Sequence, residues 1–237
     1  MHERTRPSLV VLTGAGMSAE SGIPTFRGAG GLWENHRIQD VASPAGWTKN
    51  RELVLRFYNE RRKRMWECQP NAGHRGLVEL EQRFEVTIVT QNIDNLHERA
   101  GSTRVVHLHG ELTKSRSTLD PQLVYEIDGW ELKAGDKCER GSQLRPHIVW
   151  FGEPVPMMEP AIELVRAADV LVIIGTSLAV YPAASLLYFT SSRARLFLID
   201  PNPPDTLEDG VTIVQAGASE GVARLTTLLA SARQESD

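Results

Sequence analysis

Six short apolar runs, rich in β-branched residues, constrain the fold of this chain more than any other feature. They lie at residues 9–12, 86–90, 104–107, 170–175, 196–200 and 211–215. Continuous runs of this kind are typical of strands that are buried on both faces of a parallel sheet. Helical patterns occur between several of them and after the last, at residues 73–82, 160–168, 183–191 and 219–232. The alternation predicts an α/β fold whose parallel strands are joined by right-handed crossovers.

Two segments interrupt this alternation. Residues 33–72 are helix-like but contain no strand pattern, and residues 112–146 are polar with no clear apolar period. We interpret these two segments as inserts that together form a smaller domain. The larger domain is then built from residues 1–32, 73–111 and 147–237.

Composition argues against several classes of function. The 237 residues carry a net charge of -4, which argues against bulk nucleic-acid binding because that needs a basic surface. Two widely spaced cysteines make no disulfide framework, so a reducing compartment is expected. The longest strongly apolar run is far too short to span a membrane. We therefore expect a cytoplasmic protein with no membrane partner and no direct nucleic-acid partner, and no pattern predicts its oligomeric state.

A glycine-rich loop follows the first apolar run. Residues 10–19 read VVLTGAGMSA, so Gly14, Gly16 and Ala19 match the G-x-G-x-x-G/A fingerprint between a strand and a helix. The first glycine permits a tight turn, the second lets the backbone approach a pyrophosphate, and the small third residue lets helix and strand pack closely. A plain glycine turn is the alternative, but the strand–turn–helix context favours nucleotide binding. A hydride-transferring dehydrogenase is not favoured, because no strand precedes Asp40, the acid at the expected distance.

Several motifs resemble those of the sirtuin family. In chain order they are residues 14–18 (GAGMS), 22–27 (GIPTFR), 90–97 (TQNIDNLH), 108–110 (LHG), 149–153 (VWFGE) and 175–177 (GTS). Each motif alone is weak, but their shared order makes the set specific. The resemblance implies a Rossmann-like large domain and a small inserted domain, with NAD and an acylated lysine of a protein or peptide meeting in the cleft between them. It also implies that the products are nicotinamide, free lysine and 2′-O-acyl-ADP-ribose.

The resemblance further implies roles for individual residues. His109 would be the general base, Asn92 would contact the nicotinamide ribose and Asp94 would hold the nicotinamide carboxamide. Phe26 and Arg27 would lie on a mobile cofactor loop. The full cofactor-binding set that the resemblance implies is Gly14, Ala15, Gly16, Ala19, Phe26, Arg27, Gln91, Asn92, Asp94, Gly175, Thr176, Ser177, Asp200 and Ala218.

The residue patterns alone leave the catalytic roles open. Asn92 and Asp94 could instead cap a helix that starts near Asn95, because Asn and Asp favour that position. His109 could be a structural histidine, and His107, two residues earlier, would point the same way on a strand. Only the pairing of His109 with the following glycine in the family motif favours His109.

The substrate side of the resemblance has two parts. Val149, Trp150 and Phe151 would clamp the substrate peptide by strand pairing. Tyr58 and Arg61 lie at i and i+3 on a predicted helix and share a face. They resemble the Tyr-x-x-Arg pair of the sirtuin branch that accepts succinyl-, malonyl- or glutaryl-lysine, where the arginine binds the distal carboxylate and the tyrosine adds a hydrogen bond. A solvated basic helix face is the alternative, because the residues after Arg61 continue a run of positive charge.

The chain departs from the family at the metal site. Family members usually bind a structural zinc through two Cys-x-x-Cys pairs, but residues 112–145 contain one cysteine, Cys138, and no histidine. Ser117 and Arg140 stand about where two other ligands would be expected. A tetrahedral zinc site needs four donors, so we predict no structural zinc. The small domain would then be held by apolar packing, through Leu119, Leu123, Tyr125, Ile127, Trp130 and Leu132.

The leading hypothesis is an NAD-dependent protein-lysine deacylase that acts as a desuccinylase or demalonylase, as a deacetylase, or as both. A mono-ADP-ribosyltransferase and a non-catalytic NAD-binding sensor module are the alternatives. Intact His109 and Asn92 argue against the sensor, which has no need of a base. A second departure is Asp200, where the family often has asparagine, although a carboxylate can still accept from ribose hydroxyls.

Overall fold

The computed structural model describes residues 6–25, 36–176, 178, 180–204 and 210–231. In chain order the strands are β1 (Ser8–Thr13), β2 (Glu85–Thr90), β3 (Val105–His107), β4 (Gly110–Ser117), β5 (Val124–Glu126), β6 (Leu144–Ile148), β7 (Val170–Ile174), β8 (Arg195–Ile199) and β9 (Val211–Val214). The α-helices are α1 (Gly16–Ala19), α2 (Ile38–Val41), α3 (Pro44–Lys49), α4 (Arg51–Glu67), α5 (Ala72–Leu80), α6 (Leu96–Ala100), α7 (Met158–Arg166) and α8 (Ala218–Ser231), and a 3-10 helix spans Ala183–Phe189. Within the described ranges no helix is both long and apolar enough to cross a lipid bilayer.

Six strands form one parallel sheet in the order β3-β2-β1-β7-β8-β9. They are the six strands that the apolar runs predict, so this expectation is confirmed. From β1 the chain adds β2 and β3 on one side and β7, β8 and β9 on the other. The strand order therefore reverses between β1 and β7. Open parallel sheets bind ligands in the crevice beyond the carboxyl ends of the strands at such a point.

The sheet lies between two apolar layers because a strand presents alternate side chains to opposite faces. In β1, Leu9 and Val11 share a core with α5 and α8, whereas Val10 and Leu12 share one with α7 and the 3-10 helix. All four side chains are fully buried. Burying one such side chain contributes about 1.5–3 kcal/mol relative to leaving it exposed. Burial on both faces explains why the strands read as continuous apolar runs.

The two inserts form a smaller module. Helices α2, α3 and α4 share one apolar core with the antiparallel sheet β5-β4-β6, including Val54 and Met65 from α4 and Leu112 from β4. The sequence pattern gives no sign of these strands, because the other buried side chains of β4 include the polar Ser115 and Ser117. The shared core supports the interpretation as one module, and the domain boundaries stay a prediction.

The apolar packing expected within the second insert is partly wrong. Leu119 is 65% exposed and Trp130 is 41% exposed. Of the predicted set, Leu132 is buried in the module core and Ile127 packs against it. The expectation fails because Leu119 and Trp130 lie in bends outside the strands and outside the core that the sheet shares with the helices.

Polar bonds from α4 hold the second insert in place instead. Asn59 exchanges two hydrogen bonds with the backbone of Leu132, one donated by its Nδ2 and one accepted by its Oδ1, each 3.0 Å long. Arg62 is fully buried and donates to the backbone oxygens of Leu112 and Trp130 and to Oδ1 of Asn59. One helical turn therefore fixes the strand and the loop of the insert through their backbones.

Two local expectations about helices need correction. The helical pattern at residues 183–191 is a 3-10 helix of seven residues. Helix α1 is a single turn whose buried residues are Met17 and Ser18, whereas Ala19 at its end is exposed. The prediction that Ala19 allows close packing of helix on strand is therefore wrong.

Candidate functional site

The loops after β1 and β7 touch at the point where the strand order reverses. The Gly14 N–H donates to the Ile174 oxygen (3.0 Å), and the Gly16 N–H donates to the Gly175 oxygen (2.8 Å). A Cβ on Gly14 would lie 2.7 Å from the Gly175 oxygen, and a Cβ on Gly16 would lie 2.6 Å from the Gly175 Cα. Gly175 itself has φ +59° in the left-handed region. Side chains are thus excluded at all three positions, and the bare backbone fits the close approach of a dinucleotide pyrophosphate.

Two amide side chains follow β2 and bridge to these loops. Gln91 donates from Nε2 to the Thr176 hydroxyl at 3.0 Å, which joins the loop after β2 to the loop after β7. Asn92 is buried and donates from Nδ2 to the Gly14 oxygen (3.0 Å) and to the Ser18 hydroxyl (3.2 Å). Both amides are therefore fixed in orientation before any ligand binds. Asn92 caps no helix through its side chain.

Asp94 is buried within the same network. Its carboxylate accepts from the Ser18 hydroxyl (3.0 Å) and from the Leu96 N–H at the start of α6 (3.1 Å). Burial raises the pKa of Asp94, and these two hydrogen bonds oppose the rise. The residue lines a small space of about 40 Å³ together with Ala15 and Asn92. Asp94 thus serves the N-terminal turn of α6 and also faces a cavity, so the two interpretations of its role are compatible.

The structure distinguishes His109 from His107. Nδ1 of His109 lies 3.0 Å from the Gln91 oxygen, and because a carbonyl only accepts, Nδ1 carries the proton and Nε2 is left as the acceptor. Burial lowers the pKa of His109, and the bond to Gln91 opposes this. His107 instead contacts the Asn92 oxygen at 3.1 Å through Nδ1 and the Glu98 carboxylate at 2.7 Å through Nε2. Both nitrogens of His107 are occupied, so His109 is the histidine with a nitrogen available as a base.

A cleft of about 680 Å³ extends from the glycine loops past His109 to the small module. The predicted site residues that line it are Gly14, Ala15, Gly16, Ala19, Tyr58, Arg61, Gln91, Asn92, His109, Val149, Trp150, Phe151, Gly175, Thr176, Asp200 and Ala218. Asp94 lines the smaller space described above. The predicted contacts Phe26, Arg27 and Ser177 lie outside the described residues.

Asp200 follows β8 at the end of the cleft nearest to α8. Its carboxylate accepts from the Asn202 N–H at 2.8 Å. Burial raises the pKa of Asp200, and this hydrogen bond opposes the rise. The second carboxylate oxygen leaves capacity to accept from a ligand hydroxyl.

Tyr58 and Arg61 line the module side of the cleft. The Tyr58 hydroxyl is buried and accepts a hydrogen bond from Nε1 of Trp150 at 3.0 Å, and burial raises its pKa. The Arg61 guanidinium stacks on the Phe57 ring, 3.3 Å from its centroid, and donates to the Phe57 oxygen at 2.9 Å. Tyr58 is buried and Arg61 is half-buried against Phe57, so Arg61 differs from Lys63 and Arg64, which are exposed on the same helix.

The backbone N–H groups of the predicted peptide clamp already have acceptors within the protein. The N–H groups of Val149, Trp150 and Phe151 donate to the His109 oxygen, the Glu153 carboxylate and the Ala42 oxygen. The Trp150 side chain is 2% exposed and the Phe151 side chain 51% exposed. Strand pairing at these residues would therefore depend on their carbonyl groups, of which the Trp150 oxygen already accepts from the Glu153 N–H at 3.0 Å.

Several residues of the cleft and of the smaller space are not assigned a role by the sequence interpretation. Ser18, in the GAGMS motif, lines the smaller space and forms hydrogen bonds with both Asn92 and Asp94, and nothing in its spacing predicts this. Glu20 and Gly217 line the far end of the cleft, and a Cβ on Gly217 would lie 2.5 Å from a Glu20 carboxylate oxygen. The signal that could have identified Gly217 is a glycine between the last strand and the last helix.

The second insert does not fit a structural zinc ion. The Cys138 thiol donates to the Ser117 hydroxyl at 3.3 Å, and this pair occupies the place where two metal ligands would be expected. Among the residues that the structure describes, no three His, Cys, Asp or Glu side chains converge as metal ligands do. The donor set is therefore too small for a tetrahedral site, and zinc content stays a matter for measurement.

Comparison with known proteins gives concordant results. The model of the Sir2 family matches residues 14–182. An NAD-dependent protein deacylase of Bacteroides thetaiotaomicron is 55% identical over 228 residues, covering 94% of this chain and 97% of the relative. An NAD-dependent protein deacylase of Helicobacter pylori is 58% identical over 196 residues, covering 82% of this chain and 84% of the relative. The solved structure of a Sir2 homologue in complex with NAD superposes with a TM-score of 0.84 at 37% identity, covering 98% of each chain.

Proposed function

Because the chain belongs to the Sir2 family and is an NAD-dependent protein deacylase, we propose that it prefers lysine side chains that carry an acidic acyl group, such as succinyl or malonyl. One observation carries this proposal: Tyr58 and Arg61 line the same cleft as His109 and Asn92. Deacetylation by the same site is compatible with it, because an acetyl group is a shorter version of the same chain.

Tyr58 and Arg61 match the chemistry of an acyl chain that ends in a carboxylate. A guanidinium presents two parallel N–H donors to such a group, and a tyrosine hydroxyl adds a third. The position of Arg61 on the Phe57 ring keeps its plane fixed, which lowers the entropy that binding would cost. An acyl chain without a terminal carboxylate would offer the buried Tyr58 hydroxyl no acceptor.

NAD is the co-substrate, and the residues at the crevice fit it. When bound, NAD supplies the ADP-ribose that accepts the acyl group, and it releases nicotinamide. The glycine loops leave room for the pyrophosphate. Gln91 and Asn92 are proposed to hold the nicotinamide ribose, and Asp94 the carboxamide, because their side chains are already oriented by Thr176 and Ser18.

His109 is proposed as the general base. Its Nδ1 proton is held by the Gln91 oxygen, so the available lone pair is on Nε2. Burial lowers the pKa of His109, which keeps the ring neutral at physiological pH and ready to accept a proton from a ribose hydroxyl.

Two alternatives to a deacylase were a non-catalytic NAD-binding sensor module and a mono-ADP-ribosyltransferase. The sensor module is excluded, because the chain is an enzyme. No observation favours ADP-ribosyl transfer over deacylation, and the experiment below detects it directly. The cytoplasmic location and the lack of a structural zinc stay predictions.

Turnover of matched acetyl-lysine and succinyl-lysine peptides, followed by mass spectrometry with and without NAD, tests the proposal. We expect succinyl removal to require NAD and to exceed acetyl removal in kcat/KM. Arg61→Met should lower the succinyl-to-acetyl ratio at least about tenfold, because hydrogen bonds to a charged group are worth more than 1.4 kcal/mol. Arg56→Met, on the exposed face of the same helix, is the matched control and should leave the ratio unchanged.

Two results would contradict the proposal. An acetyl rate equal to or above the succinyl rate in the wild-type enzyme would remove the acyl preference. A mass increase of the peptide by one ADP-ribose, without loss of acyl groups, would favour the transferase.

A further inference from the structure

The hydrogen bond between Trp150 and Tyr58 has a fixed direction. An indole Nε1–H is a donor only, so the Tyr58 oxygen is the acceptor in this 3.0 Å contact. Both side chains are buried, at 2% and 3% exposure. The proton of the Tyr58 hydroxyl must then point elsewhere, and among the described residues it has no acceptor. Tyr58 lines the cleft, so the cleft is the direction left for that proton.

Trp150 is itself held from two sides. The Arg145 guanidinium stacks on its indole at 3.2 Å from the ring centroid. The Trp150 backbone N–H donates to the Glu153 carboxylate at 2.8 Å. Arg145 and Glu153 are joined by two hydrogen bonds, of 2.6 and 3.1 Å, and Arg116 donates to the same carboxylate at 3.0 Å. The ring and the backbone of Trp150 are therefore fixed by one ion cluster.

The cluster retains its charges near neutral pH. Burial disfavours the ionised form of Glu153, but the bonds from Arg145 and from the Trp150 N–H outweigh this and lower its pKa. The Arg116 and Arg145 guanidinium groups thus both donate to the single carboxylate of Glu153.

We propose that Trp150, fixed by Arg145 and Glu153, is a positioning residue that makes Tyr58 an obligatory hydrogen-bond donor toward the cleft, and so selects acyl chains that end in an acceptor. The inference rests on the proposed preference for acidic acyl groups and deepens it. Without the indole N–H, the Tyr58 hydroxyl could rotate and accept as readily as it donates. A terminal carboxylate gains from a fixed donor, whereas an acetyl group is too short to use it.

The ratio of kcat/KM for succinyl-lysine and acetyl-lysine peptides tests the inference, because a general loss of activity cancels in it. Trp150→Phe keeps the packing ring but removes the donor, and we expect the ratio to fall about fivefold, mostly through KM of the succinyl peptide. Tyr58→Phe should lower the ratio at least as much. The double variant should be no worse than Tyr58→Phe, because the donor acts through the hydroxyl.

The matched control is Trp47→Phe. Trp47 packs on Trp150 in the same core, with ring centroids 5.7 Å apart, and is outside the cleft lining. It should leave the ratio unchanged. Arg145→Met should lower the succinyl-to-acetyl ratio, and Arg145→Lys should lower it less. A lysine keeps the positive charge beside Glu153 but cannot stack on the Trp150 indole as the guanidinium does.

A second measurement does not depend on turnover. The Trp150 indole N–H resonance, assigned by its absence in Trp150→Phe, should shift in Tyr58→Phe. The outcomes are distinct: a wild-type enzyme without succinyl preference refutes the proposed function and this inference with it. A wild-type preference that Trp150→Phe leaves unchanged, or single effects that multiply in the double variant, refutes this inference alone.

Discussion

Nδ1 of His109 lies 3.0 Å from the backbone oxygen of Gln91. This single contact determines the tautomer of the ring, because the carbonyl requires a proton on Nδ1. Gln91 in turn donates to Thr176 across the crevice, so the proposed base is oriented by a residue that also joins two loops of the parallel sheet. The orientation of the His109 ring is thus set by the backbone that follows β2.

The pH dependence of turnover follows from this arrangement. Burial lowers the pKa of His109, so the acid limb of the kcat/KM profile should have its midpoint below the ordinary histidine value of about 6.5. His109→Ala should lose at least about 100-fold in turnover while NAD binding persists. His107→Gln should keep the acid limb, and a limb that vanishes with His107 rather than His109 would reverse the assignment.

Stability should fall in mild acid because of a buried histidine pair. The rings of His74 and His97 lie 4.8 Å apart, and burial lowers the pKa of His74 to about 4 and that of His97 well below its usual value. The unfolded chain therefore binds more protons between pH about 6.5 and about 4, so stability is full above this window and is lost as pH falls through it. Each histidine contributes a slope of up to about 1.4 kcal/mol per pH unit.

Urea unfolding at pH 7 and pH 5 measures this loss. His74→Gln should reduce the difference between the two pH values, because the substituted side chain does not titrate. An equal difference in the wild type and the variant would show that other groups cause the acid sensitivity.

The small module should depend on Arg62 and not on a metal. Arg62→Met removes the donor to three acceptors, two of them buried, which should cost about 3 kcal/mol and lower Tm by about 6–12 °C. Arg56→Met, exposed on the same helix, should change Tm little. EDTA should leave Tm unaltered and elemental analysis should find no stoichiometric zinc, whereas a chelator-sensitive Tm would show that a metal site exists.

The close contact between the glycine loops after β1 and β7 should be required for NAD binding. Gly16→Ala would place a Cβ 2.6 Å from the Gly175 Cα, so the two loops must separate and we expect Kd for NAD to rise at least about tenfold, about 1.4 kcal/mol. Gly141→Ala is the control, since an added Cβ there would meet nothing within 4 Å, although its positive φ (+75°) adds a local backbone strain that Gly16 does not have. Calorimetric titration with NAD measures both. Equal affinities in the two variants would show that the close approach is not needed.

The sequence predicts the parallel sheet well, because strands buried on both faces need continuous apolar residues. It does not reveal the antiparallel sheet, because Ser115 and Ser117 of β4 are buried polar residues. Residue spacing alone leaves His107 and His109 equivalent, and in the sequence only the glycine after His109 in the family motif favours that residue. In the structure the partners of the two rings distinguish them, and a partner such as the Gln91 carbonyl has no sequence signature. The opposite burial of Trp150 and Phe151 is likewise decided by tertiary contacts.

Two sets of side chains with different contacts lie within about one turn of helix α4. Tyr58 and Arg61 face the cleft, while Asn59 and Arg62, each one position later, fasten the second insert. In evolution this spacing forbids length changes: one added or lost residue would rotate the helix by about 100° and misplace both sets together. On the proposed acyl preference, a change of acyl specificity that leaves the second insert in place therefore requires point substitutions at residues 58 and 61 and not insertions in α4.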